Sequence, residues 1–166
     1  MSRNLQFDFI VDKNQCTITI KREFAAQRQL VWDCYTKSEL LDRWFAPKPL
    51  QAHTKSIDFR EGGHWHFSMT DPAGKQYWSW FDYLTINPIE NYTALDGFCN
   101  EEGELNSDLP RAENSTRFID AGQHTLVESL VTYPNEEALN TVLQMGLEAG
   151  LTSTLIRLDE LLAGIK

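Results

Sequence analysis

Tyr133-Pro134-Asn135-Glu136-Glu137 opens a stretch that runs to Leu161-Leu162-Ala163-Gly164, and its reading decides the fold. Apolar residues recur at Leu139, Val142, Leu143, Leu147, Leu151, Leu155, Leu158, Leu161 and Leu162, with Gly146 and Gly150 in the same register. Spacing of three or four places them on one helical face. Asn135 is a capping residue, Glu136 and Glu137 favour the positive end of a helix, and Pro134 can staple against Leu139. Gly164 marks the stop. The pattern predicts one helix over 136–163, about 42 Å long. A stripe of that length needs a broad partner.

The partner lies upstream. Residues 16–24 alternate, with Ile18, Ile20 and Arg22 opposed to Thr17, Thr19 and Lys21, and read as a strand that Phe7, Phe9 and Val11 extend or precede. The period then changes. Leu30, Val31, Cys34 and Tyr35 mark a short helix, and Ser38 can cap a second carrying Leu40, Leu41, Trp44 and Phe45 before Pro47 and Pro49. From residue 52 the period returns to two, with strands expected at 52–59, 63–70, 76–86, 91–99, 114–120 and 123–132. Glu61-Gly62-Gly63, Asp71-Pro72-Ala73-Gly74, Asn87-Pro88 and Asp120-Ala121-Gly122 supply the turns. Residues 100–113 form a longer, acidic loop. The expected architecture is α+β: a curved antiparallel sheet of about six to seven strands around a long C-terminal helix, with two short helices plugging one end. A twisted sheet wrapping a helix leaves a wedge between them.

Composition bounds the function. The 166 residues suit one domain with a core spanning about 16–163, residues 1–15 being an extension or an extra strand. A net charge of −9 repels phosphate backbones and anionic lipid, so neither nucleic acid nor membrane is an expected partner. No signal-peptide core or apolar span of membrane length appears, and the expected location is cytoplasmic. Cys16, Cys34 and Cys99 carry no zinc or disulfide spacing.

In His64-Trp65-His66-Phe67-Ser68-Met69, alternation puts Trp65, Phe67 and Met69 toward the helix and both histidines outward. The three apolar residues suit either the wall of a binding cavity or plain core. His64-x-His66 has the spacing of paired metal ligands, with His53 the nearest third, but two solvated histidines explain it equally. No metal or cofactor is therefore expected. In Tyr77-Trp78-Ser79-Trp80-Phe81-Asp82-Tyr83-Leu84-Thr85-Ile86, an inward Leu84 and Ile86 would bring Trp78, Trp80 and Asp82 inward too. Phe81 and Tyr83 would then lie outside, available for a homodimer or another partner. Asp82, Asp96 and Glu128 are the carboxylates that alternation aims at the wedge, where burial would favour the neutral acid. Gly146 and Gly150 would remove side-chain bulk where the helix meets the sheet, for close packing or for a guest. No nucleophile elbow, catalytic triad order or phosphate-cradling loop is present.

Four stretches together carry a family likeness. They are Leu30-Val31-Trp32 with Leu40-Leu41-Asp42-Arg43-Trp44-Phe45-Ala46-Pro47, Asp58-Phe59-Arg60-Glu61-Gly62-Gly63-His64-Trp65-His66-Phe67, Asn87-Pro88-Ile89-Glu90, and Tyr133-Pro134 with Met145-Gly146-Leu147-Glu148-Ala149-Gly150 and Leu158-Asp159-Glu160-Leu161-Leu162. The chain resembles the activator-of-Hsp90-ATPase-homologue-1-like family of the START/Bet v 1-like helix-grip superfamily. Ala46 departs from the usual glycine, and Ala149 from a larger polar residue. The resemblance implies a cavity between sheet and helix and says much less about activity.

Three functions stand as expectations. The first is a binding domain for a small apolar or amphipathic molecule, lined by Trp44, Trp65, Phe67, Trp78, Trp80, Phe98, Leu143 and Leu147 and anchored by Asp82 or Asp96. The second is a stress-related, co-chaperone-like interaction module working through Phe81 and Tyr83 or the acidic loop, with a chaperone or other protein as partner. The third is an enzyme of the cyclase or hydrolase kind using an inward carboxyl.

Overall fold

The computed structural model describes residues 5–165. Strands β1 (Phe7–Asp12) and β2 (Thr17–Phe24) precede helices α1 (Arg28–Thr36) and α2 (Ser38–Trp44). Then come β3 (Gln51–Asp58), β4 (His64–Thr70), β5 (Gln76–Asn87), β6 (Asn91–Cys99), β7 (Glu113–Ala121) and β8 (His124–Thr132), followed by α3 (Glu136–Gln144) and α4 (Leu147–Ile165). The strands make one antiparallel sheet in the order β1-β2-β8-β7-β6-β5-β4-β3. It is the expected α+β helix-grip layout with eight strands rather than six or seven, because β1 pairs with β2 from Phe7↔Arg22 to Asp12↔Thr17.

The core joins every layer. Ile18, Phe24, Val31, Phe67, Phe118, Leu139 and Leu158 are all buried in a single cluster. Trp44 is buried in the same cluster, and its indole Nε1 donates to the Cys34 carbonyl at 2.9 Å, locking α2 to α1. Lys37, in extended conformation, separates those helices; Ser38 is the first residue of α2 rather than its cap, and no side chain caps that end.

The C-terminal segment is two helices, not one. Asn135 caps α3 as expected, its Oδ1 accepting from the Ala138 amide at 2.8 Å. At Gly146 the backbone turns left-handed, with φ +85°, and α4 starts afresh at Leu147. Glycine takes that conformation without the Cβ clash other residues meet, so the apolar stripe continues while the axis breaks. Gly164 lies inside α4, which runs to Ile165.

The second correction concerns β5. Its register against β6 shifts between Tyr83 and Thr85, so Leu84 is an extra residue, 41% exposed. A bulge reverses which alternate residues face the core. Ile86 packs inward as expected, but before the bulge it is Tyr77, Ser79, Phe81 and Tyr83 that face the helices. Trp78, Trp80 and Asp82 lie on the opposite face, across from Ser68, His66 and His64.

That outer face is covered as well. The 100–113 loop folds back over it, with Gly103 so close to Trp80 that an added Cβ would stand 2.9 Å from the ring. The His66 ring, 4% exposed, meets the Asn100 carbonyl at 3.0 Å.

Candidate functional site: a cavity between sheet and C-terminal helices

A cavity of about 640 Å³ lies between the inner face of the sheet and the C-terminal helices. Its size falls within the range of small-molecule sites. One wall is flat and aromatic. Trp65 stacks on Phe67 with centroids 3.7 Å apart, and Phe81 is nearly parallel to Trp65 at 5.6 Å and 18°. Phe45, just past α2, meets Trp65 edge-on at 5.0 Å, so the short helices close that end as expected. Val142 of α3 and Leu147, Leu151 and Leu155 of α4 form the facing wall. Tyr77 and Met145, 46% and 57% exposed, border the cavity from opposite layers and mark its mouth.

The other side of the sheet face is polar. Tyr92, Thr116 and Ser129 lie next to one another across β6, β7 and β8. Asp96 and Asn114 stand beside them, and the Asn114 amide donates to Asp96 Oδ2 at 3.0 Å. The Ala112 amide donates to the other oxygen, Oδ1, at 2.8 Å. Burial pushes the Asp96 carboxyl up, against the lowering effect of those two bonds and of the Arg111 charge. Burial likewise raises the phenols of Tyr35, Tyr83, Tyr92 and Tyr133, which line the same space as neutral donors. Arg22 also reaches the cavity but is held by an ion pair with Asp159 of α4 and donates to the Glu23 carbonyl at 2.6 Å.

Of the lining residues expected from sequence, Trp44, Trp65, Phe67, Asp96, Phe98 and Leu147 border the cavity. Leu143 packs against the core without bordering it. Trp78, Trp80 and Asp82 are removed to the outer face by the β5 bulge. There the Trp80 indole donates to Asp82 Oδ1 at 2.9 Å, and Arg111 pairs with Oδ2 at 2.7 Å. Burial alone would raise the Asp82 carboxyl, but the Arg111 and Trp80 hydrogen bonds outweigh it and hold the group below its ordinary value. Glu128 faces outward too, paired with Arg117 at 3.2 Å. Phe81 and Tyr83, expected outside as a partner surface, are inside, and Tyr83 is 3% exposed.

Of the His64-x-His66 pair, His66 is buried, whereas His64 stays partly exposed. His64 stacks on Trp80 at 4.5 Å and shares a hydrogen bond with Ser56 at 2.8 Å. Among the described residues no cluster of three or more metal-ligating side chains occurs. No helix among them is long and apolar enough to cross a membrane.

Of the polar row, sequence reasoning named Asp96 and missed Arg22, Tyr92, Asn114, Thr116 and Ser129. The signal lay in the alternation of β2, which sets Arg22 on the face of Ile18 and Ile20, and of β8, which sets Ser129 with Val127 and Val131.

Sheet, cavity and covering helices together define a helix-grip protein. The family model described as activator of Hsp90 ATPase homolog 1-like protein matches residues 25–163, and the chain belongs to that family. Among solved structures it is similar to protein Ms6760 from Mycobacterium smegmatis, 31% identical over 96% of this chain and 97% of that one, with a TM-score of 0.87. A Staphylococcus epidermidis protein is 28% identical over 93% of both chains, with a TM-score of 0.82. An Arthrobacter aurescens protein, 24% identical over 95% of this chain and 91% of its own, shares the fold with a TM-score of 0.89. No curated protein matches the chain.

Proposed function

We propose that this protein binds a small apolar or amphipathic molecule between its sheet and its C-terminal helices, within the cytoplasm. The observation that carries the reading is the 640 Å³ cavity, apolar on the β4–β5 side and hydrogen-bonding on the β6–β8 side. A filled core would need neither the space nor the polar row, since buried hydroxyls and a carboxyl cost stability unless they meet a partner. The lining set that supports it is Trp44, Trp65, Phe67, Phe81, Phe98 and Leu147, with Asp96 as the polar anchor.

The interaction-module reading loses Phe81 and Tyr83 as a docking surface and retains only the acidic 100–108 loop. The enzyme reading retains one element, Asp96, a buried carboxyl beside a void that could hold or release a proton. Binding is the simpler use of the site.

The test is Nile red fluorescence with the wild-type protein and Leu151→Trp, alongside native mass spectrometry of freshly purified protein. Leu151 borders the cavity, so the indole would occupy ligand space. Displacing about 60 Å² of apolar ligand contact costs about 1.5 kcal/mol, roughly ten-fold in affinity. Saturable binding weakened about ten-fold in a folded variant is the expected result. Wild-type protein that takes up no dye and carries no retained molecule would refute the reading.

A further inference from the structure

Among the described residues the cavity carries charge at two places, Arg22 and Asp96, and they differ. Arg22 is 7% exposed and its charge is answered by Asp159. Asp96 has no such partner on the cavity side. Each of its oxygens accepts one neutral hydrogen bond, from Ala112 and Asn114, which leaves an acceptor site on each. The nearby cation, Arg111, is engaged elsewhere: Nε donates to the Asp96 main-chain oxygen at 2.7 Å and Nη2 to Asp82 on the outer face at 2.7 Å.

From this we infer that the ligand is a hydrophobic amine, its flat apolar body on the Trp65–Phe67–Phe81 wall and its ammonium paired with the Asp96 carboxylate. The inference rests on the cavity being a binding site and names the class of molecule it takes. Phe81 is the cross-strand neighbour of Asp96, and Phe98 follows on the same face of β6. Their ring faces also favour a cation. A carboxylate such as a fatty acid would meet like charge and, among the described residues, no free cation in the same place. A neutral alcohol would satisfy the hydrogen bonds but leave the charge unanswered. That burial raises the Asp96 carboxyl in spite of its neutral donors and Arg111 fits an anion that the surrounding protein groups under-compensate. The chain's net charge of −9 draws cations to it and repels anions.

The experiment displaces Nile red, a neutral probe, with three ligands sharing one bicycle: naphthylethylamine, naphthylethanol and naphthylacetic acid. Near neutral pH and at low salt the amine should compete at a concentration about ten-fold lower than the alcohol, with the acid weakest. In Asp96→Asn the amine should lose its advantage over the alcohol, each competitor being scored against the Nile red affinity measured for that variant. An alcohol or acid equal to the amine in the wild type, or an amine preference that survives in the folded variant, overturns the inference and leaves the cavity reading standing. Absence of dye uptake by the wild type overturns both. Should Asp96→Asn fail to fold by circular dichroism, the wild type titrated toward acid decides: protonating Asp96 must erase the amine preference, and its persistence refutes the pairing.

Discussion

Gly146 and Gly150 look alike in the sequence, and the structure assigns them opposite consequences on replacement by alanine. At Gly146 nothing lies within 4 Å of an added Cβ, so the only cost is the left-handed backbone at φ +85°. That conformation costs an L-residue about 1–2 kcal/mol, and the stiffer unfolded chain returns about 0.4–1 kcal/mol. The net expectation is a loss of about 0.5–1 kcal/mol. Gly150 lies in the first turns of α4, and an added Cβ would meet Pro47 Cβ and Cγ at 3.8 Å, an ordinary contact. There alanine removes the helix-interior penalty of glycine, a gain of about 0.5–1 kcal/mol. The two variants should therefore straddle the wild type in urea unfolding followed by tryptophan fluorescence, separated by about 1–2 kcal/mol at equal m-values. Gly146→Asn, whose side chain tolerates the left-handed region, should recover part of the loss. Equal signs for the two alanine variants would refute the reasoning, because one continuous helix across 136–163 would stabilise both.

Other outcomes can be measured on the same material. Asp82→Asn removes a partly exposed pair with Arg111, so the loss near neutral pH should be about 1 kcal/mol or less. The folded carboxyl is held below its ordinary value, so its contribution is present above the unfolded value of about 3.9 and disappears as pH falls through the folded one. Urea titrations should show the gap between wild type and variant closing toward acid; a widening gap would contradict the ion pair. Trp80→Ala takes away the ring beneath Gly103 and His64. Limited proteolysis should then cut within 100–113 faster while Nile red binding is kept, and loss of binding without faster cleavage would put Trp80 in the cavity after all. Cys34 is 0% exposed and its thiol is pushed by burial to about 11. Ellman's reagent should reach it only on global unfolding, whereas the half-buried Cys16 should react in the native protein; native-state labelling of Cys34 would contradict its burial.

What was legible in the sequence was whatever repeats. Strand and helix periods, the two short helices and the Asn135 cap came through because each is written in neighbouring residues. The inward Trp65 and Phe67 came through because β4 keeps strict alternation. β5 failed for a local reason. Alternation carried backward from Leu84 and Ile86 crosses a bulge that inserts one residue and exchanges the two faces. Alternation carried forward from the Asp71–Lys75 turn meets no bulge before Tyr83 and gives the observed faces. A hairpin that pairs Thr70 with Gln76 sets Met69 opposite Tyr77, so an inward Met69 carries Tyr77, Ser79, Phe81 and Tyr83 inward with it. The break at Gly146 was hidden differently. An apolar stripe survives a one-residue left-handed turn because α4 takes up the same face, and periodicity is blind to a change of axis. Nor does any local pattern tell that the 100–113 loop returns over Trp80 and His66, since that contact joins residues far apart in the chain. The candidate site inherits this split: its aromatic wall on β4 is a local property. Its polar row joins Arg22, Asp96, Thr116 and Ser129 from four strands, and only the strand order sets them around one space.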